Sequence, residues 1–166
     1  DDSNDGKNED RLQTIQEAVD TAYGDKNVYV FGSGTPYEEN VVVADGVSVY
    51  GSGVPIVGPD GKTYPAATPP TVVGGETATF TMGDNTTLAG FNIQSSPSAE
   101  GTDLIPSPNN HGIWDASRAG IKAVNKTGLT IYGNTFSNVS YGAIIVNNND
   151  LPDPKEPDEE ELGWTR

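Results

Sequence analysis

The chain has no cysteine, so disulfides, thiolate catalysis and cysteine-ligated zinc or iron–sulfur sites are excluded. Basic residues are scarce: 9 Lys and Arg stand against 24 Asp and Glu, for a formal net charge of −15. Such a field disfavours nucleic acid phosphates and anionic lipid, so no nucleic-acid partner is expected. Hydrophobic residues make up only 34 %, and no run approaches the ~20 apolar residues of a spanning helix, so no membrane insertion is expected either. No charged-then-apolar signal segment opens the chain. The polar start Asp1-Asp2-Ser3-Asn4-Asp5-Gly6 suits a chain after signal removal, and we expect a secreted, extracellular or cell-surface protein.

What is abundant is Gly (20) and Pro (12), the composition of short strands joined by many turns. Residues 1–10 form an acidic leader. Asp10, with Gln13 three residues on, reads as an N-cap and capping-box partner, and Leu12, Ile15, Val19, Ala22 and Tyr23 recur at helical spacing up to Gly24. One short helix with a single apolar face must lie on something apolar, and everything after it is strand-like. It is expected to cap a stack of sheets. Residues 150–166 hold seven acids and two bases among prolines and read as an acidic tail or linker, a poor apolar cap unless Leu162 and Trp164 fold back.

Between these ends the short runs repeat. Val43-Ala44-Asp45-Gly46-Val47-Ser48-Val49-Tyr50-Gly51 parallels Val124 to Gly133, and Asp84 to Phe91 is a looser copy. The matching glycines Gly51, Gly90 and Gly133 lie 39 and 43 residues apart, a solenoid-range period. Residues 54–75, with five prolines, and 97–112, with three, read as loops projecting sideways from the stack. A hairpin sandwich would need two-residue Asn-Gly or Asp-Gly turns throughout, and only Asp45-Gly46 fits well. The expected fold is all-β: a right-handed parallel β-helix over residues 11–149 with a short N-terminal capping α-helix.

Thr14 to Val19, Val28-Tyr29-Val30, Pro36 to Val43 and Gly46 to Gly51 resemble the opening of pectate-lyase-like right-handed β-helix proteins. Gly120 to Ala123, Ile131 to Phe136 and Tyr141 to Ile144 are similar to that superfamily's generic coils, so the resemblance covers residues 12–51 and 77–149. It implies the fold; function it leaves open, since the superfamily holds lyases, hydrolases, epimerases, adhesins and tailspikes. Tyr37, Glu38 and Asn134 match structural features, with Asn134 expected to satisfy backbone groups at a turn.

A lyase of that kind needs a strong base and cations to stabilise an enolate. Of three arginines, Arg118 alone lies in the body between the capping helix and the chain's last residue. Around it Asn110 to Lys122 gathers the sole histidine His111, Trp114, Asp115 and Lys122. Arg118, Lys122 and Asp115 are therefore the catalytic candidates, and Trp114 and His111 the carbohydrate-binding ones. The plainer reading pairs Asp115 with Arg118 across a turn, an arrangement of little energetic consequence. A hydrolase would want carboxylates held together; Asp45, Asp84 and Asp115 each fall near a repeat turn. No cofactor is required; calcium is the one the acids admit, at Asp115 or Asp84. Sequons at Asn85, Asn125 and Asn138 fall in or beside turns and are glycosylation candidates.

A β-helix ends in apolar side chains and unpaired strand edges that must be capped, continued or docked. Ile144, Ile145 and Val146 form the last strand and are the expected assembly end. The expected function is a secreted or cell-surface module with a structural or glycan-contacting role. Its last coil would dock end to end on another copy, another β-helix segment or the rest of a larger protein. The alternative is the N-terminal portion of a polysaccharide lyase or hydrolase acting on acidic polysaccharide.

Overall fold

Alternating burial along very short strands sets the architecture: in Asn27–Val30, Val41–Val43 and Thr71–Gly74 every second residue is buried, as a one-sided sheet demands. The computed structural model describes residues 14–22, 26–58, 60–106 and 113–147. After helix α1 (Ile15–Ala22), coil 1 is built from β1 (Asn27–Val30), β2 (Tyr37–Glu38) and β3 (Val41–Val43). Coil 2 starts with β4 (Ser48–Gly51), detours through the hairpin β5 (Ile56–Val57) and β6 (Thr63–Tyr64), and returns as β7 (Thr71–Gly74) and β8 (Phe80–Met82). Coil 3 runs through β9 (Thr87–Ala89) and β10 (Asn92–Ser95), then the hairpin β11 (Leu104–Pro106) and β12 (Ile113–Asp115), and into β13 (Ala119–Val124). Coil 4 is β14 (Thr130–Tyr132), β15 (Thr135–Phe136) and β16 (Tyr141–Val146).

Like strands of successive coils pair in parallel, giving three four-stranded sheets: β1-β4-β9-β14, β2-β7-β10-β15 and β3-β8-β13-β16. This is a solenoid-like stack of parallel sheets. The two expected lateral loops are the two detours, with one difference: Thr71–Gly74, read from its prolines as the end of the first loop, is a strand of the second sheet. Pro69 and Pro70 precede it, where a missing amide costs the ladder nothing.

Inward side chains stack rung on rung: Val28, Val49, Leu88 and Ile131 in the first sheet; Tyr37, Val72, Ile93 and Phe136 in the second; Val41, Phe80, Ile121 and Ala143 in the third. Phe80 and Phe91 meet at the centre, ring centroids 5.2 Å apart.

Corner side chains stitch coil to coil, because the amides of a turn have no strand to pair with. The Asp45 carboxylate accepts the Asp84 amide (2.8 Å) and the Asp84 carboxylate accepts the Thr127 amide (2.9 Å). Ser52 Oγ accepts from the Gly32 amide (2.8 Å), and Asn40 Oδ1 from that of Gly75 (2.7 Å). Asn134 accepts from the Phe91 amide and donates to the Leu88 carbonyl, both at 3.0 Å, the turn-bracing role expected of it.

The described helix begins at Ile15, and the expected cap residues Asp10 and Gln13, with Gly24, lie outside the described residues. A capping box forms instead between Thr14 and Glu17: Thr14 Oγ1 accepts the Glu17 amide (3.0 Å) and Glu17 Oε2 accepts the Thr14 amide (3.2 Å). Coil 1 reinforces it, since the Glu39 carboxylate accepts the amides of Ile15 (3.0 Å) and Gln16 (2.9 Å) at the positive end of the helix. The Gln16 side chain acts as a strand substitute, its oxygen accepting the Val42 amide (2.7 Å) and its nitrogen donating to the Val42 carbonyl (3.0 Å). Ile15, Ala18 and Val19 are buried against the core, so α1 closes the coil 1 end by both apolar contact and edge pairing.

Candidate functional site

The residues expected to carry chemistry sit on or beside the second hairpin, and their polar atoms are already engaged. Lys122 points outward from β13, and its Nζ lies 2.7 Å and 2.9 Å from the two oxygens of Asp103. Arg118 Nη2 donates to the Asn138 carbonyl (3.2 Å), while its Nε is enclosed without a partner. The Asp115 carboxylate accepts from the Ser117 hydroxyl, the Ser117 amide (3.0 Å) and the Gly101 amide (2.8 Å). The expected Asp115–Arg118 ion pair is thus absent among the described residues, because nearer donors saturate the carboxylate. Trp114 is 37 % exposed opposite Ile105 on the hairpin, and His111 lies outside the described residues.

The carboxylate cluster that a hydrolase would want does not form: Asp45 and Asp84 share a corner column, but Asp115 belongs to the hairpin. Each carboxylate is bonded to turn amides. No group of three or more His, Asp or Glu able to hold a metal ion occurs among the described residues. Asn85, Asn125 and Asn138 are exposed and share left-handed backbone, with φ of 54°, 57° and 53°, a conformation asparagine tolerates at turns.

The Ser117 hydroxyl first, then the Gly101 and Ser117 amides, hold the Asp115 carboxyl below the ordinary carboxylate value, outweighing a small opposing effect of burial. A depressed folded value means that the stabilisation is complete above the unfolded value near 4 and is lost as pH falls through the folded one. Asp115→Ala should therefore speed amide exchange at Gly101 and Ser117 by up to about tenfold at neutral pH. The gap from wild type should close on acidification, as read by NMR exchange.

The end of the stack is different. Ile131, Phe136, Ala143 and Ile145 lie in register with Leu88, Ile93, Ile121 and Ala123, all at most 1 % exposed, yet Phe136 is 38 % and Ile145 54 % exposed. They form the interior of a coil with no further coil beyond it among the described residues. β14, β15 and β16 also each end their sheet, so three strand edges finish in the same layer.

Of the three residues expected at this end, only Ile145 belongs there. Ile144 and Val146, 5 % and 4 % exposed, face outward and pack with Ile105 of the second hairpin, Ala116 and Ala119 in a separate cluster. An all-apolar strand hides its own alternation, because both faces are covered by different partners. Phe136, Ala143 and Ile131 were missed for the same reason: their place follows from register, visible only by carrying the Ile121 to Ala143 match across the corner. Coil 4 itself carries little charge, although the acidic residues 150–166 follow it directly in the chain. No acid occurs between Asp115 and Asp150, and coil 4 carries one charge, Lys126. Comparison of the chain with protein-family models, with curated proteins and with solved structures returns no match, so the geometry of this end carries the functional reading.

Proposed function

We propose that the protein is a secreted or cell-surface right-handed β-helix module of pectate-lyase-like build whose coil 4 is a docking surface for another polypeptide. One observation carries the reading: Phe136, Ala143 and Ile145 are exposed in register with buried core residues, in the layer where three strand edges end. A polypeptide laid on this layer would bury those side chains at roughly 1.5–3 kcal/mol for each large one and supply partners to the edges. A glycan-contacting role would fall to Trp114. The alternative reading, part of a lyase or hydrolase on acidic polysaccharide, draws little support from Arg118 and Lys122, whose charges already serve Asn138 and Asp103.

Ile145→Lys tests the docking role, since a charge at a position 54 % exposed leaves the fold intact while blocking burial. In hydrogen exchange, the β16 amides that do not pair with β13 should be protected in the wild type and unprotected in Ile145→Lys. Equal, open-strand exchange in both proteins would sink the reading.

A further inference from the structure

We infer that the outer face of the first sheet is a binding platform for a neutral, extended glycan, a site separate from the docking layer of coil 4 and from Trp114. The register lays its outward side chains in two columns. Tyr29, Tyr50 and Tyr132 share one, with Ala89 between the last two; Ser48, Thr87 and Thr130 share the other, headed by Asn27. The rings of Tyr29 and Tyr50 are near-parallel, centroids 6.0 Å and planes 20° apart, and Asn27 Nδ2 donates to the Tyr29 hydroxyl (3.2 Å), which fixes the head of the column. Ala89 is fully buried, so the column has no open gap, and Tyr132 beyond it is 47 % exposed. The first hairpin adds Tyr64, 38 % exposed and edge-on to Phe31 just past β1, at 5.8 Å.

The strand preference of tyrosine would scatter such rings over all three sheets. They are not scattered. Outward positions of the second sheet hold residues such as Asn92 and Gln94, and those of the third Thr81 and Lys122, with no ring there among the described residues. What the face offers then selects the ligand. β4 and β9 are paired on both sides, so their main chain leaves no edge for an added peptide strand. No outward residue of this sheet is charged, although the chain carries −15, so neither a polyanion nor a cationic partner finds a counter-charge on the face itself. Rings beside hydroxyls remain, the groups that meet the C–H faces and the hydroxyls of a sugar at once. Successive rungs lie ~4.8 Å apart, close to the length of one hexose unit in an extended chain, so a glycan lying along the stack repeats in step with the coils. Tyr29 to Tyr132 spans three rungs, ~14 Å, room for about three units.

NMR titration of the 166-residue chain with cellohexaose, xylohexaose and mannohexaose as neutral probes, and hexagalacturonate as the acidic one, tests the site. At least one neutral hexaose should shift the amides of β4 and β9 and leave those of β11 and β12 in place. Tyr50→Ala and Tyr132→Ala should each weaken that binding about tenfold, the loss of one ring, with melting temperatures near wild type because both rings lie on the outer face. Trp114→Ala should bind as wild type does. Binding of no neutral hexaose would overturn the inference, as would affinities unchanged by the tyrosine variants or lost in Trp114→Ala. A preference for hexagalacturonate would overturn the neutral chemistry and support the acidic-polysaccharide reading instead. Each result is independent of whether coil 4 docks a polypeptide, which the β16 amides report.

Discussion

Phe80→Ala is expected to cost about 4 kcal/mol, the range for truncating a fully buried aromatic that leaves a cavity. Phe80 is 0 % exposed, sits between Val41 and Ile121 in the third sheet, and packs on Phe91 from the next coil at 5.2 Å. In a stack each coil touches only its neighbours, so this ring couples coil 2 to both sides, and nothing else fills its place. Against a total stability of 5–15 kcal/mol, the loss lowers the melting temperature by roughly 10 °C. Phe136→Ala is the internal control. It stands one layer beyond Ile93 but is 38 % exposed, so the same truncation should cost far less. Thermal melts across a concentration series check both; equal losses would mean that coil 4 is as buried as the centre.

The fold was legible because its signals are local and repeated. Val47-Ser48-Val49-Tyr50-Gly51 and Leu129-Thr130-Ile131-Tyr132-Gly133 do become equivalent first-sheet strands, and Gly51, Gly90 and Gly133 follow them at the same corner. Gly90 is required there on two counts: its φ is +80°, and a Cβ would meet the Gly51 backbone of the previous coil. The helix was legible as a cap but not in its first residue, because Glu39, far along the chain, supplies the second half of its N-cap. Long-range partners are invisible to spacing.

The candidate site was less legible, and the reason is chemical. Arg118, Asp115 and Lys122 cluster in sequence as a reaction centre would. Yet proximity in sequence does not say which donor reaches a carboxylate first, and Ser117 and Gly101 reach Asp115 before Arg118 does. The end surface had the opposite difficulty, since an exposed inward residue has the same letter as a buried one. Asp103 gave no motif at all, although it anchors the second hairpin to the stack.

That anchor makes Asp103→Ala the second large effect, about 3 kcal/mol. Asp103 and Lys122 side chains are only 11 % and 19 % exposed, and Asp103 also accepts the Ala78 amide at 3.1 Å. Removing the carboxylate strands a poorly hydrated ammonium and an unpaired amide together, which costs far more than the pair itself contributes. The combination Asp103→Asn with Lys122→Met should therefore recover to within ~1 kcal/mol of wild type, since the charge is gone and the amide keeps an acceptor. Urea titrations of the single and double variants decide it; a single-variant loss below ~1 kcal/mol would mean that water screens the pair. The consequence reaches beyond stability. The hairpin that Asp103 holds buries Ile144 and Val146 through Ile105, so its release adds a second apolar surface beside the exposed end. Asp103→Ala should then aggregate more readily than wild type, because this side of β16 is no longer covered.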